Sequence, residues 1–236
     1  MPGKILLLTM PELTGAAMAP LRDAAGPVEV IVAHDHAGLK AEFQGAIHPD
    51  RIITFASGVI VPGEVLNQAK SGALGFHPGS PEYRGLFPSA YAVFDCAPTF
   101  GVTLHHLTPE PDSGDIIAVD RFPVPEGCDR LALDTLTLAR MVKMLTRMAG
   151  ILVNLEITPA LCGKAWSGPI RTKTDFDALC RLPSDVTFDE FARRYRAVGE
   201  GPHHALDIEI FGHRFKLDNR RNNDVVRAGQ SNRRAA

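Results

Sequence analysis

A histidine and an aspartate in two glycine- and proline-rich segments are the residues best suited to move a proton. His77 stands before Pro78-Gly79, and Asp112 lies in the turn Pro111-Asp112-Ser113-Gly114. A carboxylate beside an imidazole favours the imidazolium form. Such a pair can carry a proton between an attacking amine and a leaving group, and can place positive charge beside a developing oxyanion. A hydrogen-bonded structural histidine and an Asx-turn carboxylate are the competing interpretations, and spacing alone does not separate them.

The elements that must position this pair form the pattern of an α/β sheet. Apolar or β-branched runs at 4–9, 28–33 and 51–55 predict buried strands, and the short run that ends at His77 predicts another. Helical segments are predicted between them, one of them opening after Pro62. Strands that alternate with helices indicate a parallel sheet, whose ligand sites lie at the carboxyl ends of the strands. His77 is expected at such an end.

The pattern changes towards the carboxyl terminus. Asp129 is predicted to cap a long helix, because apolar residues recur after it at intervals of three and four. Residues 166–169 are interpreted as a linker, Thr187 as the cap of another helix, and 206–217 as a hairpin that turns at a glycine. We therefore predict a catalytic domain over 1–160, a small α+β subdomain over 161–218, and a flexible tail over 219–236.

Composition limits the partners and the compartment. The 236 residues include 25 Lys and Arg against 27 Asp and Glu, a net charge of −2 that gives no general basic field for nucleic acid or an anionic membrane. No apolar run approaches the roughly 18 residues needed to cross a bilayer. The four cysteines are widely spaced and are expected as reduced thiols. We expect a cytoplasmic protein with no membrane contact and no metal site, since His34-Asp35-His36 has no third ligand.

Three ordered motifs resemble those of the folate-dependent formyltransferases, a family that includes methionyl-tRNA, glycinamide ribonucleotide and sugar-nucleotide amine enzymes. They are Gly75-Phe76-His77-Pro78 with Tyr83-Arg84-Gly85, then Gly101-Val102-Thr103-Leu104-His105, then Asp112-Ser113-Gly114-Asp115-Ile116-Ile117. Residues 51–62 also match the strand and loop that precede the catalytic histidine of the family. The resemblance covers about residues 1 to 155 and implies a Rossmann-like formyltransferase domain with a mostly parallel sheet.

The resemblance also implies roles for individual residues. It makes His77 the catalytic histidine and Asp112 the catalytic aspartate, with N10-formyltetrahydrofolate as the formyl donor. Two loops would line the pterin pocket, largely through backbone contacts; they contain Phe55, Ser57, Gly58, Val59, Ile60 and Val61, and Glu110, Pro111, Gly114 and Asp115. In the implied reaction an uncharged amine attacks the formyl carbon, His77 stabilises the oxyanion, and Asp112 tunes His77 and relays protons.

The sequence departs from the family where the catalytic asparagine maps onto Gly75. That asparagine gives an amide donor to the formyl oxygen, and losing one such donor typically costs about a hundred- to a thousandfold in rate. Ser80, His105, a water molecule or the backbone N–H of Gly75 could replace it. The alternatives left open are a slow transferase, an enzyme with a rearranged oxyanion hole, a formyltetrahydrofolate hydrolase, and a non-catalytic folate- or nucleotide-binding relative.

The implied acceptor is a small amine, with a nucleotide-linked amino sugar as the first candidate. The short loop from Gly79 to Tyr83 resembles the branch that acts on such amines more than the tRNA branch. The net charge of −2 also argues against tRNA. Three arginines on one predicted helix suit a diphosphate, with a solvated helix face as the alternative interpretation; they are Arg193, Arg194 and Arg196. A homodimer is compatible with the sequence.

Overall fold

The structure is a computed structural model that describes residues 3–45, 47–199 and 205–217. The strands are β1 (Lys4–Thr9), β2 (Glu29–Ala33), β3 (Arg51–Phe55), β4 (Ala73–His77), β5 (Arg84–Gly85), β6 (Thr99–His106), β7 (Ile116–Pro123), β8 (Ile170–Arg171), β9 (Arg181–Leu182), β10 (Asp207–Ile210) and β11 (His213–Lys216). The α-helices are α1 (Thr14–Ala25), α2 (His36–Glu42), α3 (Gly63–Leu66), α4 (Pro88–Phe94), α5 (Arg130–Val153), α6 (Lys173–Cys180) and α7 (Phe188–Val198). The predicted tail at 219–236 lies outside the described residues.

Six strands form the central sheet in the order β2-β1-β3-β4-β6-β7. The four strands from β2 to β4 run parallel to one another, and β6 and β7 are added in the antiparallel sense. The run Ile5-Leu6-Leu7-Leu8 in β1 is completely buried, because both faces of a parallel sheet are covered. The predicted α/β fold with a mostly parallel sheet is confirmed.

Helices cover the two faces of this sheet. On one face α1 and α5 pack against β1, β3 and β4, with Leu21 and Leu145 in the shared core. On the other face Leu39 and Val65, from α2 and α3, pack on β1 and β3. The predicted cap of the long helix is present, since the Asp129 carboxylate accepts a hydrogen bond from the Ala132 N–H at 2.9 Å. None of the described helices combines the length and the apolar character that crossing a membrane requires.

A buried arginine fixes the far end of α5 to the sheet. Arg51, on β3, is 1% exposed. Its guanidinium donates to the carbonyl oxygens of Leu152 at 2.7 Å, Asn154 at 3.0 Å and Ile157 at 2.8 Å. The positive charge thus meets the negative end of the α5 dipole and the carbonyls that the helix leaves unpaired. This anchor fixes the carboxyl end of α5, whose residues 134–141 form one wall of the cavity described below.

The carboxyl-terminal region is a small α+β unit, as predicted. Its three strands lie in the order β11-β10-β9, and the predicted hairpin turns at Phe211-Gly212, both with positive φ. Thr187 caps α7 by accepting a hydrogen bond from the Glu190 N–H at 3.3 Å. Phe176, on α6, packs in one cluster with residues of α4 and β6. The division at residue 160 stays a prediction, because the region shares this core with the larger sheet.

Candidate active site

The predicted histidine and aspartate meet at the carboxyl end of β4. His77 ends that strand, and its Nδ1 lies 3.2 Å from Asp112 Oδ2, an ion-pair distance. His77 Nε2 lies 2.7 Å from the carbonyl oxygen of Tyr83. A carbonyl oxygen only accepts, so His77 Nε2 carries a proton. Both ring nitrogens of His77 therefore have a partner.

One backbone and one side-chain donor of β5 hold Asp112 in place. The Gly85 N–H donates to Asp112 Oδ2 at 2.8 Å, and Arg84 Nε donates to the Asp112 backbone carbonyl at 2.7 Å. Asp112 has a φ of 46°, a left-handed conformation that aspartate tolerates better than most residues. The Tyr83-Arg84-Gly85 motif therefore supplies three contacts to the His77–Asp112 pair.

A second imidazole faces the same carboxylate. His105 Nε2 lies 3.6 Å from Asp112 Oδ1, and His105 Nδ1 lies 2.8 Å from the backbone carbonyl of His106. Although it lines the cavity, His105 is only 3% exposed. Burial lowers the pKa of His105 to about 4, against the opposing pull of Asp112. One carboxylate thus lies between two histidines that differ in their environments.

The space beside Gly75 is filled by its neighbours. Gly75 opposes His105 in the β4–β6 pairing. A Cβ atom at position 75 would lie 2.5 Å from Leu107 Cδ2, 3.0 Å from Thr54 Oγ1 and 3.1 Å from His105 Nε2. No larger side chain fits there unless Leu107 moves. The position of the family's asparagine is therefore occupied here by His105, Leu107 and Thr54.

Of the two side chains predicted as replacements for the lost amide, His105 reaches the cavity and Ser80 does not. Ser80 is completely buried, and its Cβ lies 3.4 Å from where a Cβ on Gly101 would stand. It therefore packs inside the fold, behind the residues that line the cavity.

Trp166, in the segment interpreted as a linker, also contacts both histidines. Its indole Nε1 donates to the Gly114 carbonyl at 2.7 Å. The ring packs edge-on against both histidines, with centroid distances of 5.6 Å to His77 and 5.0 Å to His105. It is the single tryptophan of the chain, and that rarity beside a Ser-Gly-Pro turn is the one signal the sequence offers for its role.

A cavity of about 770 Å³ opens in front of these groups. Ligand sites for small molecules typically measure about 300–1,000 Å³. Its walls come from the loops after β3 and β6, from α5 and from the segment after β5. Seven of the predicted donor-binding residues lie on these walls: Ser57, Gly58, Val59, Ile60, Val61, Glu110 and Pro111.

Three other predicted donor-binding residues lie away from the cavity. Phe55 is completely buried, with its ring 5.5 Å from that of Phe76. Gly114 is pressed against the backbone of His106, where a Cβ would overlap the carbonyl oxygen. Asp115 is exposed, and its backbone carbonyl accepts from the His106 N–H at 2.9 Å. These residues support the loops without facing a ligand.

The opposite end of the cavity is more strongly charged. Arg171 and Lys173 line it together with Asp134. Lys173 pairs with Asp177, whereas the Arg171 guanidinium lies over the ring of Tyr91, 4.6 Å from its centroid. Arg171 also pairs with Gly85 through β8 and β5, so it lies next to the residue that holds the Asp112 carboxylate.

The arginines of α7 are already used within the fold. Arg193 and Arg194 both pair with Glu190, and Arg194 Nη1 donates to the carbonyl of Leu179 at 3.0 Å. Neither lies on the cavity walls, and Arg196 is exposed on the same helix. The predicted diphosphate contact from α7 is therefore not made at this cavity.

Comparison with known proteins agrees with this fold. The Formyl transferase family matches residues 33–146. A methionyl-tRNA formyltransferase from Listeria welshimeri is 37% identical over 83 residues, which cover 35% of this chain and 27% of that protein. A sugar N-formyltransferase structure from a Shewanella species superposes with a TM-score of 0.76 at 18% identity, over 91% of this chain and 96% of the other. An N-formyltransferase from Helicobacter canadensis, in complex with folinic acid and dTDP-3-aminofucose, gives 0.62 at 17% identity, over 90% and 85%.

The two structural likenesses define the α/β fold over nearly the whole chain. The Formyl transferase match over 33–146 covers just under half of the chain and contains the β4 histidine, the β6 motif and the aspartate loop. It supports a folate-dependent formyltransferase family for this part of the chain. The chain spans about a quarter of the length of the curated Listeria relative that it matches, so the activity of that whole protein does not transfer to it directly.

Proposed function

We propose that the protein transfers the formyl group of N10-formyltetrahydrofolate to the amino group of a small acceptor. The observation that carries this proposal is the cavity of about 770 Å³ that both His77 and Asp112 line, with His77 Nδ1 3.2 Å from Asp112 Oδ2. Supporting it, the formyltransferase family match includes both residues. A structural relative described in complex with folinic acid supports a formyl-folate as the donor.

The loop after β3 suits the flat, polar-edged ring of a folate. Val59, Ile60 and Leu107 give an apolar wall, and the backbone of Ser57-Gly58 is open to the cavity. Backbone N–H and C=O groups beside an apolar wall are the usual way to bind a heterocycle with specific orientation. The donor supplies a formyl carbon open to attack by an amine. We assign the pterin to this end.

His77 would stabilise the negative charge on the formyl oxygen, and Asp112 would orient the His77 ring. We assign the His77 ring to the formyl oxygen, where negative charge develops, because preorganised groups that stabilise such charge usually make the largest catalytic contribution. Asp112 holds that ring through its Oδ2, which is itself held by the Gly85 N–H. The acceptor must arrive as an uncharged amine, because an ammonium has no electron pair with which to attack.

The charged end of the cavity favours an acceptor with an anionic group. Arg171 lies beside Gly85 and faces the cavity, so a phosphate could sit within a few ångströms of the catalytic carboxylate. A nucleotide-linked amino sugar is our first candidate, supported by the sugar N-formyltransferase structures that share the fold. We infer that tRNA is not the acceptor, because the net charge is −2. A cytoplasmic location and a homodimer stay predictions from the sequence.

The test is donor turnover by the purified protein. N10-formyltetrahydrofolate is supplied with and without dTDP-3-aminofucose and other amines, and release of tetrahydrofolate is followed by absorbance. We expect amine-dependent release in the native protein, and at least a hundredfold less in His77→Asn and Asp112→Asn. Native rates in His77→Asn would refute the proposal. Formate release without an amine would identify a hydrolase, and tight folinic acid binding without turnover would identify a binding protein.

A further inference from the structure

The two histidines beside Asp112 differ in how many of their ring nitrogens have a hydrogen-bond or ion-pair partner. His77 has a partner at each ring nitrogen, the Tyr83 carbonyl at Nε2 and the Asp112 carboxylate at Nδ1. His105 uses only Nδ1, on the carbonyl of His106. Its Nε2 faces Asp112 Oδ1 at 3.6 Å, and a proton added there would complete an ion pair. His105 can therefore gain a proton without losing a contact.

The hydrogen bond of His105 also decides which nitrogen is basic. The carbonyl oxygen of His106 only accepts, so His105 Nδ1 carries the proton. In the neutral ring Nε2 then holds an electron pair and has no hydrogen to give. His105 is thus unsuited to replace the amide that Gly75 lacks, which would have donated to the formyl oxygen. It is suited to accept a proton.

We propose that His105 Nε2 is the group that takes the proton from the acceptor amine and returns it to N10 of the folate, an assignment that rests on the formyl transfer proposed above. The amine nitrogen forms a bond to the formyl carbon and loses one proton to Nε2. The bond between that carbon and N10 breaks, its electron pair stays on N10, and N10 takes the proton from Nε2. The formyl group and one proton have then moved, and His105 is neutral again.

The surroundings of His105 suit this exchange. Asp112 approaches Nε2, His77 lies across the same carboxylate, and His106 follows in the chain with its side chain outside the cavity. The Trp166 ring covers one edge of the imidazole and excludes water from it. Burial lowers the pKa of His105, so the ring is neutral and able to accept at neutral pH. Asp112 then stabilises the imidazolium that forms.

The first test needs no turnover. In protein labelled with ¹⁵N-histidine, the nitrogen shifts of His105, assigned by their loss in His105→Gln, report which nitrogen carries the proton. We expect a proton on Nδ1 and none on Nε2 at pH 7, with and without folinic acid as a donor analogue. A proton on Nε2 at pH 7 in the free protein would overturn the assignment.

The second test separates this role from a structural one. With N10-formyltetrahydrofolate and dTDP-3-aminofucose, we expect His105→Gln to lower kcat about 10²- to 10⁴-fold, the usual contribution of a general base. Its affinity for folinic acid should stay within about twofold, because the loop after β3 is untouched. His106→Gln is the matched control and should keep native kcat. A kcat within about threefold of native in His105→Gln would overturn the inference while leaving the proposed transfer intact, whereas a native protein inactive with every amine would overturn both.

Discussion

The space beside Gly75 is crowded, and we therefore expect Gly75→Ala to destabilise the protein, although replacing glycine by alanine within a strand usually stabilises it. In a strand interior, glycine is usually less stable than alanine by about 0.5–1 kcal/mol. At position 75, however, the added Cβ would lie 2.5 Å from Leu107 Cδ2 and 3.0 Å from Thr54 Oγ1. Forcing a carbon into a packed site costs about 1–3 kcal/mol. We expect the cost to exceed the gain, so that Gly75→Ala lowers the free energy of unfolding by about 1–2 kcal/mol.

Urea unfolding followed by circular dichroism measures this change, and a second substitution tests its cause. Leu107→Ala removes the nearest atom, so Gly75→Ala should cost less in that background than in the native protein. The non-additivity between the two should reach about 0.5–1.5 kcal/mol, as for residues in direct contact. Gly75→Asn should be more destabilising than Gly75→Ala and should not raise turnover. A Gly75→Ala protein at least as stable as native, or additive effects, would refute the packing argument.

Three further predictions concern the histidine cluster and the charged end of the cavity. His105 has a pKa of about 4 in the folded protein and near 6.5 in the unfolded chain, so between these pH values only the unfolded chain binds the proton. The free energy of unfolding should therefore fall by up to about 3 kcal/mol as the pH is lowered across this interval. Chemical unfolding at several pH values measures the fall, which should be smaller in His105→Gln. Trp166→Ala should raise the pKa of His105 towards its ordinary value, because water reaches the ring; an unchanged NMR titration would show that the indole does not shield it. Arg171→Ala should raise KM for a diphosphate-bearing acceptor about ten- to a hundredfold, because one charge-assisted hydrogen bond is lost, and should leave the affinity for folinic acid unchanged. Arg147, exposed on α5, is the control. An equal rise in KM in Arg147→Ala would count against a specific contact.

The sequence was sufficient for the parts of the fold that local pattern controls. The apolar run at β1, the cap at Asp129 and the glycine turn at Gly212 each follow from the residues present, and each is found as predicted. The resemblance carried by the ordered motifs also implied that His77 and Asp112 belong to one site, and the structure places His77 Nδ1 3.2 Å from Asp112 Oδ2.

The rest could not be read from the chain because it depends on contacts distant in sequence. Trp166 reaches the histidines only because its indole bonds the carbonyl of Gly114, 52 residues earlier. The crowding of Gly75 by Leu107 and Thr54 becomes visible only in the folded chain. Which ring nitrogen of His105 carries the proton depends on a single backbone carbonyl, that of His106. None of these contacts leaves a periodicity or a spacing in the sequence.

The Tyr-Arg-Gly segment shows why a short motif can be essential although few of its side chains face the ligand. Gly85, with a φ of 82°, donates its N–H to Asp112, and a Cβ there would overlap the Arg171 backbone. The neighbouring Leu86 N–H donates to the Arg171 carbonyl at 2.8 Å. One backbone strand therefore holds the Asp112 carboxylate on one side and the backbone of Arg171 on the other. A substitution of Gly85 should consequently disturb acceptor binding and proton transfer together, whereas Arg171→Ala should affect acceptor binding alone.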